Sequence, residues 1–259
     1  MADRGTDLVL VCRDKEKGER TASEIMRVAK GASVDLEVAD LSSLQAVREL
    51  AGRLRERHPK INVLVNNAGV VGLGRSMTLD GYETTFAVNY LAQFLLTNLI
   101  LDTLKANAPS RIVNVSSAAH YGGHINFDDL QGKRGFSGFG AYSNSKLAVV
   151  LFTKELASRL RGTGVTANCL HPGAVATEIW NKGAGPFGFI MAIPKLFMIS
   201  PEKGAETVVY LATSSDVEAS GEYFEKKRVK KSSAESYDAG EARRLWEVSV
   251  QLTRLESPG

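Results

Sequence analysis

Short apolar runs rich in β-branched residues alternate with longer helical stretches along the whole chain, and this alternation constrains the fold more than any other feature. Residues 8–12, 34–38, 63–65, 111–115, 165–170 and 222–224 have the pattern of strands. Residues 15–30, 43–57, about 79–105, 142–160 and 201–213 have the pattern of helices. This order implies right-handed β-α-β connections. We therefore expect an α/β fold, a doubly wound parallel sheet that binds ligands at the carboxyl ends of its strands.

The composition is that of an ordinary globular protein. Of the 259 residues, 44% are hydrophobic and 24% are charged, and the formal net charge is +3. Nothing resembles a linker or a repeat, so residues 1–259 predict a single domain. The basic run at residues 226–231 lacks the interleaved aromatic side chains on which nucleic-acid bases stack. We therefore expect no nucleic-acid partner.

The sequence also has the features of a cytoplasmic protein. No apolar run reaches the roughly 18 residues that span a bilayer, and Met1 is not followed by a signal-peptide pattern. Cys12 and Cys169 lie in apolar runs, which predicts buried free thiols in a reducing compartment. Peripheral contact with a membrane stays open, because the basic run can attract anionic lipid. A homodimer also stays open.

Polar residues follow the first two predicted strands. Arg13 comes directly after the first strand, where an arginine accommodates the 2′-phosphate of NADP and an acidic residue holds the ribose of NAD. Arg13 therefore favours NADP over NAD, although Asp14 blurs this distinction and a merely solvated Arg13 is the alternative. Asp40 and Leu41 follow the second strand, and the Asp40 carboxylate can accept from an adenine amino group or cap the next helix.

The later strands also end in residues suited to a ligand. Asn66-Asn67-Ala68-Gly69 forms a turn whose small residues allow the backbone to approach a flat ligand. Ser116 and Ser117 place hydroxyls after the fourth strand, and the segment 171–178 follows the fifth. Asn89 is an amide within an apolar helix, where it must find a partner, either as a structural tie or as part of a proton path.

Tyr142 and Lys146 are four residues apart in the helix predicted at 142–160. They therefore share a face and lie about 6 Å apart along the axis. An ammonium at this position favours the phenolate, which predicts a lowered tyrosine pKa and a general acid/base. The alternative is a packing ring beside a solvated amine.

In contrast, the two histidines at positions 120 and 124 do not predict a metal site. They have an i, i+4 spacing, but Gly122-Gly123 between them disfavours a helix that would present both to one ion. No third ligand is in view, so we expect no metal.

Several motifs together resemble the classical short-chain dehydrogenase/reductases: Asn66-Asn67-Ala68-Gly69, Asn89, Ser117, Tyr142-x-x-x-Lys146 and Pro172-Gly173-x-Val175-x-Thr177. The resemblance implies a Rossmann-type fold. It implies Tyr142 as proton donor or acceptor, Ser117 orienting the substrate oxygen, Lys146 lowering the tyrosine pKa and holding the nicotinamide ribose, and Asn89 supporting a water relay. It implies a cofactor site made of Arg13, Asp40, Leu41, Asn67, Ala68, Gly69, Tyr142, Lys146, Pro172, Gly173, Val175 and Thr177.

Finer features are similar to the retinol dehydrogenase branch of that family. They are Cys12-Arg13-Asp14, the spacing of Ser117 and Tyr142, and the segment 242–247. That branch implies an NADP(H)-dependent oxidoreductase acting on small lipophilic alcohols, aldehydes and ketones such as retinoids. Residues 184–199 are rich in Phe, Met and Ile and predict a substrate lid, although an amphipathic cap over the core explains them nearly as well.

One part of the family pattern is not found. The first strand and its glycine-rich turn, Thr-Gly-x-x-x-Gly-x-Gly, do not occur, and residues 1–5 predict the end of a helix with Gly5 as its left-handed stop. That turn would supply a pyrophosphate site, so we expect this chain to bind NADPH weakly. The alternative is a truncated, non-catalytic protein of the same fold that pairs its sheet edge with another chain.

Overall fold

The computed structural model describes residues 1–2, 5–29, 31–173 and 199–256. Its strands are β1 (Leu8–Cys12), β2 (Val34–Val38), β3 (Val63–Asn66), β4 (Ser110–Val115), β5 (Val165–His171), β6 (Tyr223–Glu225) and β7 (Arg228–Val229). Its α-helices are α1 (Lys15–Val28), α2 (Leu44–Arg57), α3 (Thr84–Phe86), α4 (Ala92–Leu99), α5 (Leu101–Ala106), α6 (Gly138–Arg159), α7 (Pro201–Thr213) and α8 (Ala239–Thr253). A π-helical turn (Ala87–Leu91) joins α3 to α4, and 3₁₀ turns cover Ala118–Gly122 and Ala234–Tyr237.

The strands form a two-stranded sheet and a five-stranded sheet, which are mostly parallel and flanked by helices, and this confirms the predicted fold class. β1 pairs with β2, and the other strands follow in the order β3-β4-β5-β6-β7 with only β7 antiparallel. In the described part of the chain β1 and β3 are not paired with each other. β1 has β2 as its one strand neighbour, and β3 has β4. Asn66 pairs with Asn114 and Asn114 with Cys169, so the carboxyl ends of β3, β4 and β5 lie at one edge.

Helix α6 lies at the centre of the core. Its residues from Leu147 to Phe152 are buried on every side, as expected of a helix covered all round. Helix α8, which the sequence did not predict, closes the other side of α6. Trp246 of α8 packs with its ring centre 5.0 Å from that of Phe94 and 5.8 Å from that of Phe152.

The single helix predicted at about 79–105 is wrong in its start and its continuity. Gly81 has φ +81°, which makes residues 78–82 a turn, and Glu83 caps α3 by accepting from the backbone N–H groups of Thr85 and Phe86. The helix is interrupted at Ile100, where φ and ψ are −107° and 8°. The acidic side chain of Glu83 thus fixes where the helix can begin.

Helix α6 begins earlier than predicted. Ser137 is its N-cap, and its hydroxyl accepts from the backbone N–H of Gly140. Gly138 and Gly140 are poor helix formers, which is why the first turn was missed. A Cβ at Gly138 would lie 2.2 Å from the carbonyl oxygen of Gly72, so this close approach requires glycine.

One smaller prediction is confirmed. Gly5 has φ +71° and donates its N–H to the carbonyl of Ala2, the expected left-handed stop. Ser200 caps α7, with Pro201 at the first helical position. Within the described ranges, no helix combines the length and apolar character needed to cross a bilayer.

Candidate active site

Tyr142, Lys146 and Ser117 come together at the carboxyl end of β4. Tyr142 and Lys146 lie one turn apart in α6 and are only 6% and 3% exposed. The Lys146 Nζ is 5.7 Å from the centre of the Tyr142 ring and donates to the carbonyl oxygen of Val115 at 2.9 Å. Ser117, two residues beyond Val115, hydrogen-bonds the Tyr142 phenol. The arrangement can hold a polarised oxygen between a phenol and a hydroxyl.

The direction of the tyrosine pKa is opposite to the sequence prediction. Burial raises the pKa of Tyr142, and the hydrogen bond from Ser117 only partly offsets it. Both side chains are buried, and burial disfavours the charged form of each. Burial lowers the pKa of Lys146 to about 8 in the same way as it raises that of Tyr142. The Lys146 Nζ is directed at the Val115 carbonyl. In this structure the phenol is therefore held in its protonated form.

The two adjacent serines have separate contacts. Ser116 is buried and donates its hydroxyl to the carbonyl oxygen of Lys146 at 2.8 Å, which ties the end of β4 to α6. Ser117 is half-buried and faces Tyr142, and its Oγ also accepts from the backbone N–H of Ala119 at 3.2 Å. The geometry thus brings Ser117, and not Ser116, to the phenol.

The turn at residues 66–69 is held by side-chain amides. Asn66 donates to Thr97 Oγ1 and Asn114 Oδ1, and Gln93 donates to the carbonyl of Ala68. Asn67 is exposed. These bonds fix the backbone of the turn without using Asn67, whose side chain remains at the surface above the strand ends.

Asn89 is the link between this turn and α6. It lies in the π-helical turn, a distortion that is frequent at functional sites. Its Oδ1 accepts from the N–H of Val70 at 2.7 Å, and its Nδ2 donates to the Val70 carbonyl and to Ser145 Oγ, each at 3.0 Å. Both hydrogens of the Asn89 amide are engaged by protein atoms. Of the two roles that the sequence left open, the geometry therefore favours a structural tie over a proton path. A Cβ at Gly69 would lie 3.4 Å from Asn89 Oδ1 and 3.5 Å from Lys146 Nζ.

The outer strand ends carry Arg13 and Asp40. Arg13 is exposed just beyond β1, whereas Asp14 caps α1 by accepting from the backbone N–H of Lys17 at 3.0 Å, which lowers the pKa of Asp14. Asp40 is exposed and accepts from the N–H of Ser42 at 2.9 Å. Leu41 is half-buried and packs against the core. The cap of α2 is Ser43, so Asp40 orders the approach to the helix without being its cap.

The turn after β5 is described only in part. Pro172 and Gly173 follow β5, and Gly173 has φ +95° with its backbone so close to Ile199 that a Cβ would lie 2.4 Å from Ile199 Cδ1. Glycine is therefore required there. Val175 and Thr177 lie outside the described residues, and so does the predicted lid except for Ile199.

Comparison with known proteins decides the family. Residues 1–184 match the family model described as short chain dehydrogenase. The chain belongs to this family. It is 44% identical to human Retinol dehydrogenase 13 over 266 residues, which cover 100% of this chain and 80% of that protein. It is 41% identical to human Retinol dehydrogenase 11, covering 98% of this chain and 80% of that protein. This short chain dehydrogenase is thus retinol dehydrogenase-like and an oxidoreductase on alcohol or aldehyde substrates.

Solved structures agree with this assignment. A crystal structure of an uncharacterized protein from Mycobacterium Paratuberculosis is 31% identical, with a TM-score of 0.79, and the match covers 100% of this chain and 88% of that one. The Pseudomonas aeruginosa RhlG/NADP active-site complex is 25% identical with a TM-score of 0.68, covering 86% of each chain. Both support the Rossmann-type fold of this short chain dehydrogenase.

A cavity of about 170 Å³ lies away from the phenol of this dehydrogenase. Phe86, Ile125, Leu130, Phe136 and Asn144 are among the residues that line it. Asn144 lies two residues from Tyr142 in α6 and therefore points about 200° away around the helix. The cavity belongs to the opposite face of α6, and we do not assign the substrate to it.

Sequence reasoning missed the residues that support the site. Gln93, Ser145 and Asn114 hold the turn, Asn89 and β4 in place. Gln93 and Asn114 are polar residues within apolar runs, the same signal that singled out Asn89. Ser145 lies in the polar stretch Ser143-Asn144-Ser145-Lys146, which gives no such signal. The two histidines bind different partners: His120 contacts Ser117, and His124 contacts Asn144 and Glu235.

Proposed function

We propose that this short chain dehydrogenase uses NADP(H) to interconvert a small lipophilic alcohol, of the retinoid kind, and its aldehyde or ketone. The observation that carries the proposal is the meeting of Ser117 with Tyr142 beside Lys146 at the end of β4. The substrate class is supported by relatives that are named retinol dehydrogenases and match nearly the whole chain.

In the direction of reduction, Tyr142 gives its phenolic proton to the substrate carbonyl oxygen. Its raised pKa keeps the phenol protonated until the oxygen becomes basic. Ser117 donates a hydrogen bond to the same oxygen, and Lys146 supplies a positive charge that favours the phenolate left behind. In oxidation the proton moves back. The nicotinamide, when bound, supplies or accepts the hydride.

The cofactor-binding residues lie at the carboxyl ends of successive strands. Arg13 and Asp40 follow β1 and β2, the 67–69 turn follows β3, and Pro172 and Gly173 follow β5. At Gly173 the positive φ and the Ile199 side chain leave no room for a Cβ, whereas a Cβ at Gly69 would make ordinary contacts of 3.4 Å or more. The lack of a side chain at Gly69 leaves the backbone of this turn open to close approach by a flat ring. Tyr142 and Lys146 complete this set at α6.

The proposed preference for NADP over NAD depends on the two residues that follow the carboxyl end of β1, Arg13 and Asp14. The carboxylate of Asp14 is engaged as the cap of α1, whereas Arg13 is exposed next to it. A guanidinium matches the geometry and charge of a 2′-phosphate. The solved RhlG complex contains NADP, which supports the same choice.

The proposal extends to peripheral contact with a membrane. The basic run at residues 226–231 forms the turn and the second strand of the β6-β7 hairpin, and the turn residues Lys226 and Lys227 have φ of 51° and 63°. The side chains of Arg228 and Val229 are exposed in β7. Basic and apolar groups side by side suit the surface of an anionic bilayer from which a lipophilic substrate is drawn.

Turnover of retinaldehyde by the purified chain, followed by NADPH absorbance, tests the proposed function. We expect NADPH-dependent reduction that falls at least about 100-fold in Ser117→Ala, because a positioned donor to the reacting oxygen is lost. Ser215→Ala, at an exposed loop position, is the matched control and keeps wild-type turnover. Absence of turnover in the wild type, or full turnover in Ser117→Ala, would overturn the proposal.

A further inference from the structure

His120 is a fully buried histidine whose two ring nitrogens both have partners. It lies in the 3₁₀ turn Ala118–Gly122, and its Nδ1 is 2.6 Å from the carbonyl oxygen of Ser117. Its Nε2 accepts from the backbone N–H of Ser233 at 3.1 Å. Because a nitrogen that accepts cannot carry the proton, the hydrogen is on Nδ1, which donates to Ser117.

The surroundings of His120 preserve this neutral tautomer. The rings of Tyr121 and Tyr223 lie 4.1 and 4.7 Å from it, centre to centre. Burial lowers the pKa of His120, and the charges of Lys230 and Lys154 act in the same direction. Protonation would also set an Nε2 hydrogen against the N–H of Ser233. The imidazole is therefore a fixed donor to Ser117.

The donation from His120 fixes the backbone of Ser117. The same carbonyl oxygen accepts the backbone N–H of His120 at 3.1 Å, and the Ser117 Oγ accepts the N–H of Ala119 at 3.2 Å. The carbonyl and the hydroxyl oxygen of Ser117 are thus both held by hydrogen bonds, which together restrict the direction of the hydroxyl. In the described part of the chain, the donors to the Ser117 carbonyl are the backbone N–H and the ring of His120.

The 3₁₀ turn is in turn anchored to the segment after β7. Tyr121 donates its hydroxyl to the Lys231 carbonyl at 2.5 Å, and His124 Nδ1 lies 3.3 Å from Glu235 Oε1. With the bond between His120 and Ser233, three contacts join residues 120–124 to residues 231–235. Of the three side chains that make these contacts, His120 is the one that also hydrogen-bonds Ser117.

We propose that His120 is a positioning residue that holds Ser117, through its Nδ1 hydrogen bond, in the orientation needed to donate to the substrate oxygen. The inference rests on the proposed function of Ser117. It assigns no contact with substrate to His120 itself. Loss of the bond should lower kcat while leaving the KM for NADPH unchanged, because misplacing a donor by about 1 Å can cost about 100-fold in rate.

A pair of amide variants separates the two hydrogen bonds of His120. The Nδ2 of an asparagine occupies roughly the place of Nδ1, and Asn98 shows that such an amide reaches a carbonyl one turn back, that of Phe94, at 2.8 Å. The longer glutamine places its amide near Nε2 instead. His120→Asn therefore restores the bond to Ser117, and His120→Gln restores the bond to Ser233.

Steady-state kinetics and thermal unfolding of these variants, with Ser117→Ala alongside, test the inference. We expect His120→Asn to keep kcat within about 3-fold, and His120→Gln and His120→Leu to lose at least about 10-fold, with similar Tm values for the Asn and Gln variants. Equal kcat for Asn and Gln, at any level, or a higher kcat for Gln, overturns the positioning role. If Ser117→Ala is as active as the wild type, it is the proposed function that fails.

Discussion

The Nζ of Lys146 donates to the carbonyl oxygen of Val115 at 2.9 Å, joining the buried amine of α6 to the end of β4. This contact holds the ammonium beside the ring of Tyr142. Val115, which accepts the bond, lies two residues before Ser117. Removing a charge from water is costly, and one hydrogen bond compensates only in part, which explains the lowered pKa of about 8. The buried amine of Lys146 therefore works against stability.

Stability should consequently rise with pH through the pKa of Lys146. Between its folded pKa of about 8 and its ordinary value of 10.5, the unfolded chain holds a proton that the folded chain has released, so the free energy of unfolding increases with pH. Above about pH 9, Cys169 opposes this, because burial raises its pKa to about 12. We expect urea denaturation to show the rise from pH 7.5 to 9, with a slope no larger than about 1.4 kcal/mol per pH unit.

Lys146→Met should abolish this rise, since the variant has no amine to titrate. Lys203→Met, at an exposed position in α7, is the control and keeps it. The explanation fails if the wild type and Lys146→Met have the same slope between pH 7.5 and 9.

Arg13→Ala should change cofactor preference without changing the fold. Loss of a hydrogen-bonded charge pair with the 2′-phosphate predicts a decrease of about 10-fold or more in kcat/KM for NADPH, with the value for NADH within about 2-fold of wild type. Arg27→Ala, in the last turn of α1, is the control. Equal losses with both cofactors would remove Arg13 from the phosphate site.

The parts of the fold that the sequence predicted are those that local pattern determines. β1 and β2 have the predicted bounds, because β1 is an apolar run between Asp7 and Arg13 and β2 alternates apolar and acidic residues from Val34 to Val38. Helix α8 was missed, since what orders it is the packing of Trp246 on Phe94 and Phe152 and the stacking of Arg159 on its ring. That packing joins residues far apart in the sequence.

The candidate site shows the same limit. The spacing of Tyr142 and Lys146 placed them on one face, but the direction of the tyrosine pKa depends on burial by other elements. The bond between His120 and Ser233 likewise joins residues 113 positions apart, which no local pattern indicates.

Asn89→Leu should destabilise the protein more than an ordinary surface change. It removes three hydrogen bonds, so the N–H and carbonyl of half-buried Val70 lose their bonds to Asn89, and the Ser145 hydroxyl keeps only its donation to the Tyr142 carbonyl. We expect the free energy of unfolding to fall by about 1–3 kcal/mol or more. Asn98→Ala, which loses only a local bond to Phe94, should cost well under half of that. Similar losses for both would mean that Asn89 does not tie the turn to α6.

The most direct test of the account is the turnover of Tyr142→Phe, with Tyr237→Phe at an exposed position as control. Retinaldehyde reduction with NADPH, NADPH binding and Tm are measured on the same samples. The account predicts a loss of at least about 100-fold in kcat for Tyr142→Phe, with NADPH affinity and Tm close to wild type, because only the transferable proton is removed. Wild-type kcat in Tyr142→Phe would contradict it.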